Sequence, residues 1–515
     1  MNLGLMGNPS GKLRARPKHP EHGHKPPAPM TQEFRKVPQN VLFTGFGQVL
    51  GNVVALVGTI LVARYLGVEG FGRFSFYFGI AIVFWFIGEA GLMNIFVREL
   101  SRLLQDPPQY IPCLQHFWGL LSLISLAALV AAGLALWLLP LEGDTRTVLG
   151  LLALSIALVF QALVMGSVIR AHEEMAFYSL GFFLQNLAAL GGIVWATRAD
   201  AGLVGIFAAY AASFLLLWGY FLVVVGWRYG LHRPAFDGKA WVFFLKESIP
   251  LGLGNIFRRT ANYVDIFILR GLSTLTEIGL FSPAYRFVVA LSSLAMVVCS
   301  PFLPVFARLA QRDEGQMAVG LEKGLLFLLV ASIPLTIAFC VYGDHIITGF
   351  FGANFSQAGF GLKLLGLSLL ATFPATLFLH LFTAVGAQHY WTYCTALCLG
   401  LHLLLGLVFA PAWGHLAAVA ATLAAEVGLF ALGWHLLGRL GFRFSLPRLA
   451  FRPLLAGAVS GGLLFCWPGQ TLMEIIPRSL GSFTLYVLLL WTLGVFTFTG
   501  ILDLFKDRRP AEEKG

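Results

Sequence analysis

Residues Leu114–Leu139 read LQHFWGLLSLISLAALVAAGLALWLL, without one Asp, Glu, Lys or Arg. As a helix rising 1.5 Å per residue the run covers roughly 39 Å, enough to cross a hydrocarbon core of ~30 Å. Similar runs recur along the chain. Fourteen candidate spans follow: 40–63, 74–97, 114–139, 148–169, 175–197, 202–227, 249–271, 279–301, 324–342, 360–382, 389–411, 415–437, 453–468 and 480–502. The weakest patterns are 249–271, interrupted by charge, and 453–468, which is short.

The composition of the 515 residues agrees. Only 12% are charged and 57% are apolar, with a mean hydropathy of +0.78. Soluble domains carry about 25% charge, so a soluble fold lacks the surface it needs. A transmembrane β-barrel is excluded, because its strands are short and alternate in polarity. The chain reads as all-α, a polytopic helical membrane protein. Residues 1–38 are polar, basic and proline-rich, without the apolar core of a cleavable signal peptide. They read as a disordered cytosolic tail.

The net charge of +10 reports orientation. Of 35 Lys and Arg, 25 fall on the side of the amino-terminus, six on the opposite side and four within spans. The positive-inside rule then places both termini in the cytosol. No extracytosolic loop exceeds about 17 residues under this map, so no domain is expected there. The six cysteines, Cys113, Cys299, Cys340, Cys394, Cys398 and Cys466, lie in or beside apolar runs and read as small packing residues.

A weak internal repeat is visible. Arg64 and Arg270 stand 206 residues apart, Gly72 and Gly279 stand 207 apart, and Arg102-Leu103-Leu104-Gln105 is echoed 206 residues on by Arg308-Leu309-Ala310-Gln311. Each pair occupies the same topological place, and six spans lie between equivalents. Two six-helix halves related by an axis along the membrane normal are expected, a transporter architecture. The boundaries are 1–38 for the tail, 39–235 for the first bundle, 236–440 for the second, and 441–515 for two further helices and a cytosolic tail.

Ionisable groups inside spans are costly and are read first as functional. Span seven carries Asn255, Arg258, Arg259, Asn262 and Asp265 at helical spacing on one face. Two arginines against one aspartate leave net positive charge, which suits an anionic substrate such as a diphosphate. The competing reading is a structural pair that locks this helix to a neighbour. Glu89 and Glu426 are candidates for a coupling proton, or partners for Arg258 or Arg259. Arg286 either lines the same cavity or snorkels outward. A lone histidine within a span, such as His380, His402 or His415, is read as hydrogen-bonded packing. No Walker A, GxSxG or HExxH pattern occurs, so no enzyme chemistry, cofactor or metal is expected, and nucleic acid is not an expected partner.

Several motifs resemble those of a known group. Arg64-Tyr65-Leu66-Gly67-Val68-Glu69-Gly70-Phe71-Gly72 resembles the "RxLGxxxfG" turn of polysaccharide flippases. Glu89-Ala90-Gly91-Leu92 with Arg98-Glu99 resembles their second helix, with glutamate where aspartate is common. Ile169 to Met175 resembles the turn before their fifth helix. Ile249-Pro250-Leu251-Gly252 through Asp265, then Glu277 to Arg286, is similar to their "lP…D…l…evGxYsxAyr" block. The resemblance covers residues 36–390 and points to the polysaccharide transporter and O-antigen flippase group of the multidrug/oligosaccharidyl-lipid/polysaccharide exporter superfamily. It implies 12–14 helices in two MATE-like bundles around a central cavity. It also implies movement of a polyprenyl-diphosphate-linked oligosaccharide between leaflets of the cytoplasmic membrane. Membrane lipids, polysaccharide assembly proteins and H+ or Na+ as coupling ion are the partners to expect. A multidrug or cation exporter and a membrane polysaccharide polymerase or ligase are the alternatives. The exporter wants a net acidic cavity and the polymerase a large outside loop.

Overall fold

The computed structural model describes residues 33–89, 91–104, 107–138, 143–248, 263–299, 302–309, 314–442, 445–466 and 471–495. All regular structure among them is helical. In chain order the helices are α1 (Glu33–Glu89), α2 (Leu92–Leu103), α3 (Pro107–Leu138), α4 (Asp144–Ala171), α5 (Met175–Arg198), α6 (Gly202–Arg228) and α7 (238–248). There follow α8 (Val264–Leu272), α9 (Leu275–Cys299), α10 (Phe302–Leu309), α11 (Glu314–Phe351), α12 (Ala358–Ala384), α13 (Gln388–Trp413), α14 (His415–Arg439), α15 (Leu446–Cys466) and α16 (Leu472–Thr492).

Twelve of these helices are long and apolar enough to cross a membrane. One of them, α1, is two arms joined at Gly67, whose φ of 67° and ψ of −174° interrupt the helix. Side chains with a Cβ rarely adopt that conformation, so the RxLGxxxfG turn needs glycine at this point. The two arms correspond to the first two expected spans. The expected span 249–271 lies mostly outside the described residues, which hold only its end, α8. The expected span 74–97 needs correction. Its helix stops at Glu89, and Gly91 at φ 76° starts the separate helix α2. The charged residues Arg98, Glu99 and Arg102 make α2 a short amphipathic helix, with Leu92, Met93, Ile95, Phe96 and Leu100 buried. The apolar residues of the run thus face protein rather than lipid.

The two halves repeat each other. Helix α3 packs on α4, α4 on α6 and α5 on α6, and in the second half α11 packs on α12, α12 on α14 and α13 on α14. The short helix α2 lies against α4 as α10 lies against α12. The first arm of α1 runs parallel to α5, Gly47, Gly51 and Gly58 meeting Ser179, Asn186 and Ile193 in turn. Helices α15 and α16 form a hairpin on α11, where the Tyr486 hydroxyl donates to the Val330 carbonyl at 3.2 Å. Large apolar residues such as Trp137, Val223, Phe465 and Met473 point outward, as lipid contact requires.

The halves meet along α1, which contacts α8, α9 and α11. The tightest point is at the α1 kink. A Cβ on Gly72 would lie 1.8 Å from the Leu275 carbonyl oxygen, and one on Gly279 would lie 2.0 Å from that of Val68. Val68 and Leu275, like Gly72 and Gly279, are separated by 207 residues. Each half therefore offers the same carbonyl to the same glycine of the other, the reciprocal contact of a two-fold axis. Arg64 reinforces the seam, donating to the carbonyls of Phe350 at 2.7 Å and Gly349 at 2.5 Å. Phe71 packs on Phe351 and Phe355 beside it.

At the opposite end, residues 229–248 link the halves, and the sequence boundary at 236 falls within them. The linker is fastened to the first half. The Ala235 amide donates to the Gln115 carbonyl, Trp241 Nε1 donates to the His116 carbonyl, and Phe244 sits edge-on to Phe117. Arg98 pairs with Glu247 at 3.1 Å.

Gly72→Val and Gly279→Val should each lower the thermal unfolding midpoint of the detergent-solubilised protein. Overpacking costs about 1–3 kcal/mol, and more where the obstacle is backbone. Gly133→Val, with no atom within 4 Å of a built Cβ, should leave the midpoint nearly unchanged.

Candidate functional site

Asp265 enters the bundle on the first turn of α8 and is 1% exposed. A lone buried carboxylate would be strongly destabilising. Here Asp265 Oδ1 lies 2.7 Å from His402 Nε2 on α13, and the Thr422 hydroxyl on α14 donates to Oδ2 at 3.4 Å. His402 is itself buried. One turn beyond Thr422 on the same face of α14 is Glu426. The Thr372 Oγ1 on α12 lies 2.9 Å from Glu426 Oε2 and 2.9 Å from the Ser368 carbonyl. A hydroxyl has one proton to donate. The Thr372 proton is shared between the Glu426 carboxyl and the Ser368 carbonyl. Tyr285 on α9 and Cys398 on α13 complete the surroundings, Tyr285 within electrostatic reach of both carboxylates and Cys398 of Glu426. Five elements thus converge on one polar cluster inside the second half.

Arg286, on α9, faces the seam between the halves. Its Nη1 donates to the Thr59 hydroxyl of the first α1 arm at 3.1 Å. Its guanidinium carbon stands 5.4–5.9 Å from the rings of Phe71, Phe74 and Phe78 on the second arm. No described carboxylate pairs with it. Aromatic faces stabilise a cation, and among the described residues one of its five N–H donors is taken, by Thr59. Its side chain points into the seam between the halves.

Asn255, Arg258, Arg259 and Asn262 lie outside the described residues. Glu89 ends α1, and its side chain lies outside them too. Asp265 and Glu426 fall in one cluster, whereas Arg286 sits at the seam. The sequence reading missed His402, Thr422 and Thr372. His402 stands 137 residues from Asp265, and no local pattern joins them. The packing interpretation does suit other span histidines. His380 Nδ1 lies 2.8 Å from the Thr376 carbonyl, and His415 holds Glu277 through its ring and its backbone amide. Lys363 pairs with Asp344.

A family model described as "Polysaccharide biosynthesis protein" matches residues 37–310. The chain belongs to this family. Among curated proteins, none matches it. Among solved structures, one titled "Lipid II flippase MurJ, inward closed conformation" aligns over 90% of this chain and 100% of its own, at 16% identity and a TM-score of 0.75. A multidrug resistance MATE family transporter of the MOP superfamily, in an inward-facing conformation, aligns over 76% of this chain and 94% of its own, at 12% identity and a TM-score of 0.63. A MATE multidrug transporter, DinF-BH, aligns over 81% and 96%, at 16% identity and a TM-score of 0.58. These likenesses place the chain in the MurJ/MATE-like fold. The expected architecture of two helical halves with two added helices is the one observed.

The cluster has an energetic signature. Removing one partner of a buried ion pair costs about 3–5 kcal/mol, because the other charge is left without compensation. Asp265→Ala and His402→Ala should each be strongly destabilising in detergent unfolding, and the double variant should cost less than their sum.

Proposed function

We infer that the protein moves a polyprenyl-diphosphate-linked oligosaccharide from the inner to the outer leaflet of the cytoplasmic membrane, for surface polysaccharide export. A headgroup of several sugars cannot cross hydrocarbon unaided. A polar, cationic cavity lowers that barrier while the lipid tail stays in the bilayer. The observation that carries the reading is Arg286, a cation at the meeting of the halves with no described counter-charge. Membership of a polysaccharide biosynthesis family and a fold shared with a lipid II flippase support it.

Arg258 and Arg259 would add to the attraction for the diphosphate, with Asn255 and Asn262 beside them. The proposed mode of movement is alternating access of the two halves. The halves are closed at the kink end, which the charge census assigns to the outside. The substrate would enter from the linker end, and release would require the glycine seam to part. The Asp265–His402 pair is the proposed coupling site. With His402 protonated the pair is neutral overall. Loss of that proton leaves a buried negative charge, which favours a conformation admitting water or a cation. Glu426, bonded to Thr372, would exchange protons with the same cluster. Both termini lie in the cytosol in this scheme.

The direct test is a leaflet-accessibility assay in proteoliposomes containing a lipid-linked oligosaccharide. Wild-type protein should speed the appearance of sugar in the opposite leaflet, and Arg286→Gln should slow it by about tenfold or more while inserting normally. Arg258→Ala with Arg259→Ala should abolish it. Transfer no faster than in protein-free vesicles would overturn the assignment, and drug efflux in its place would favour the exporter alternative.

Coupling has a separate readout. His402→Gln should flatten the dependence of transport on an imposed pH gradient. An unchanged dependence would remove the pair from coupling.

A further inference from the structure

The kink end contains a cavity of about 710 Å³ walled by both halves. The first half contributes Arg73 and Tyr77 from α1 and Asp144 and Thr145 from the start of α4, and the second contributes Arg270 and Leu275. The internal repeat shows why Arg270 is available. Its counterpart in the first half is Arg64, whose guanidinium is engaged with the carbonyls of Gly349 and Phe350 at the end of α11. Arg270 lies exposed in the cavity wall contributed by the second half. It rests 5.7 Å from the Phe76 ring, and no described carboxylate or carbonyl engages it. Among the described residues, the same position thus closes the seam in one half and lines a cavity in the other.

The remaining lining suits an anion. Arg73 is exposed and held loosely, 3.6 Å from Glu69. The Tyr77 hydroxyl donates to Thr145 Oγ1 at 3.1 Å, which leaves the threonine proton free to donate into the cavity. The first turn of the 28-residue helix α4 has no side-chain cap, so its amide groups add positive potential. Among the described lining residues the acid is Asp144 and the bases are Arg73 and Arg270. The cavity lies at the ends of the spans, the level of a lipid phosphate rather than of acyl chains.

We propose that this cavity is an anion-binding site, distinct from the Arg286 seam, that holds a phosphate-bearing group between Arg270 and Arg73 at the kink end of the bundle. A phosphate there would bridge the halves through two guanidinium groups, which match its geometry. The group is the phosphate of a membrane lipid or a soluble phosphate. That it would be the diphosphate of the transported lipid rests on the transport reading above; the anion site itself does not.

The experiment uses the full-length protein in phosphatidylcholine nanodiscs, with inorganic pyrophosphate as one probe and phosphatidylglycerol mixed into the nanodisc as the other. Calorimetry reads the first, and native mass spectrometry reads lipid retained in the second. Arg270→Gln should weaken whichever probe binds by about tenfold. Arg73→Gln should have a smaller effect in the same direction, and Arg270→Lys should preserve part of the binding. Arg146→Gln, an exposed arginine of the same helix turn outside the lining, should change nothing. Binding of pyrophosphate alone identifies a soluble anion, and retention of phosphatidylglycerol identifies a lipid headgroup. The site is overturned if wild-type protein binds neither probe, or if binding survives in the Arg73→Gln/Arg270→Gln double variant. Neither readout requires transport, so these outcomes are separable from the leaflet assay.

Discussion

Two carbonyl–glycine contacts set the geometry of this molecule. At the α1 kink the backbone of Val68–Gly72 lies against that of Leu275–Gly279, so closely that neither glycine has room for a methyl group. Backbone contact of this kind leaves no flexible side chain to absorb a misfit. It fixes how the halves approach and pins them at one end. The consequences run along α1. Its first arm lies along α5, its second arm meets α8 and α9, and Arg286 is held over a row of phenylalanines at the seam. The cavity at the kink and the Arg286 cation at the seam are both positioned by this contact.

The treatment of charge follows one rule. Inside a bilayer an ionisable group needs a partner or a reason. Asp265 has His402 and Thr422, Glu426 has Thr372, Lys363 has Asp344, and Arg64 has the carbonyls at the end of α11. Among the described residues, Arg286 meets aromatic rings and the Thr59 hydroxyl in place of a carboxylate, and Arg270, exposed at the end of its span, rests beside Phe76. Satisfied groups explain how the helices stay together. Arg286 and Arg270 lie on surfaces shared by the halves, where a transported or bridging anion would be felt by both.

Much of this architecture was legible in the residues themselves. Apolar runs of membrane length marked the helices, because the backbone must satisfy its own hydrogen bonds in lipid. The repeat was legible at Arg64, Gly72 and Arg102, because turns are less interchangeable than apolar helix faces. Other features were not. Apolar pattern alone does not distinguish a residue facing lipid from one facing protein, so the end of the second arm at Glu89 and the separate helix α2 were hidden. His402 looked like any lone histidine, because its significance lies in a carboxylate on another helix.

The sequence by itself determined that the chain is a bundle of membrane-length helices in two similar halves, with cations scattered among them. These are properties of composition, period and spacing, which local physics reads directly. Tertiary structure alone decided which charges meet. Asp265 meets His402 and Thr422 on two other helices, and Arg286 turns to the seam and not to the surface. Their environments depend on helices more than a hundred residues away. Only the packing of the halves brings those helices close enough for charge and hydrogen bonding to act.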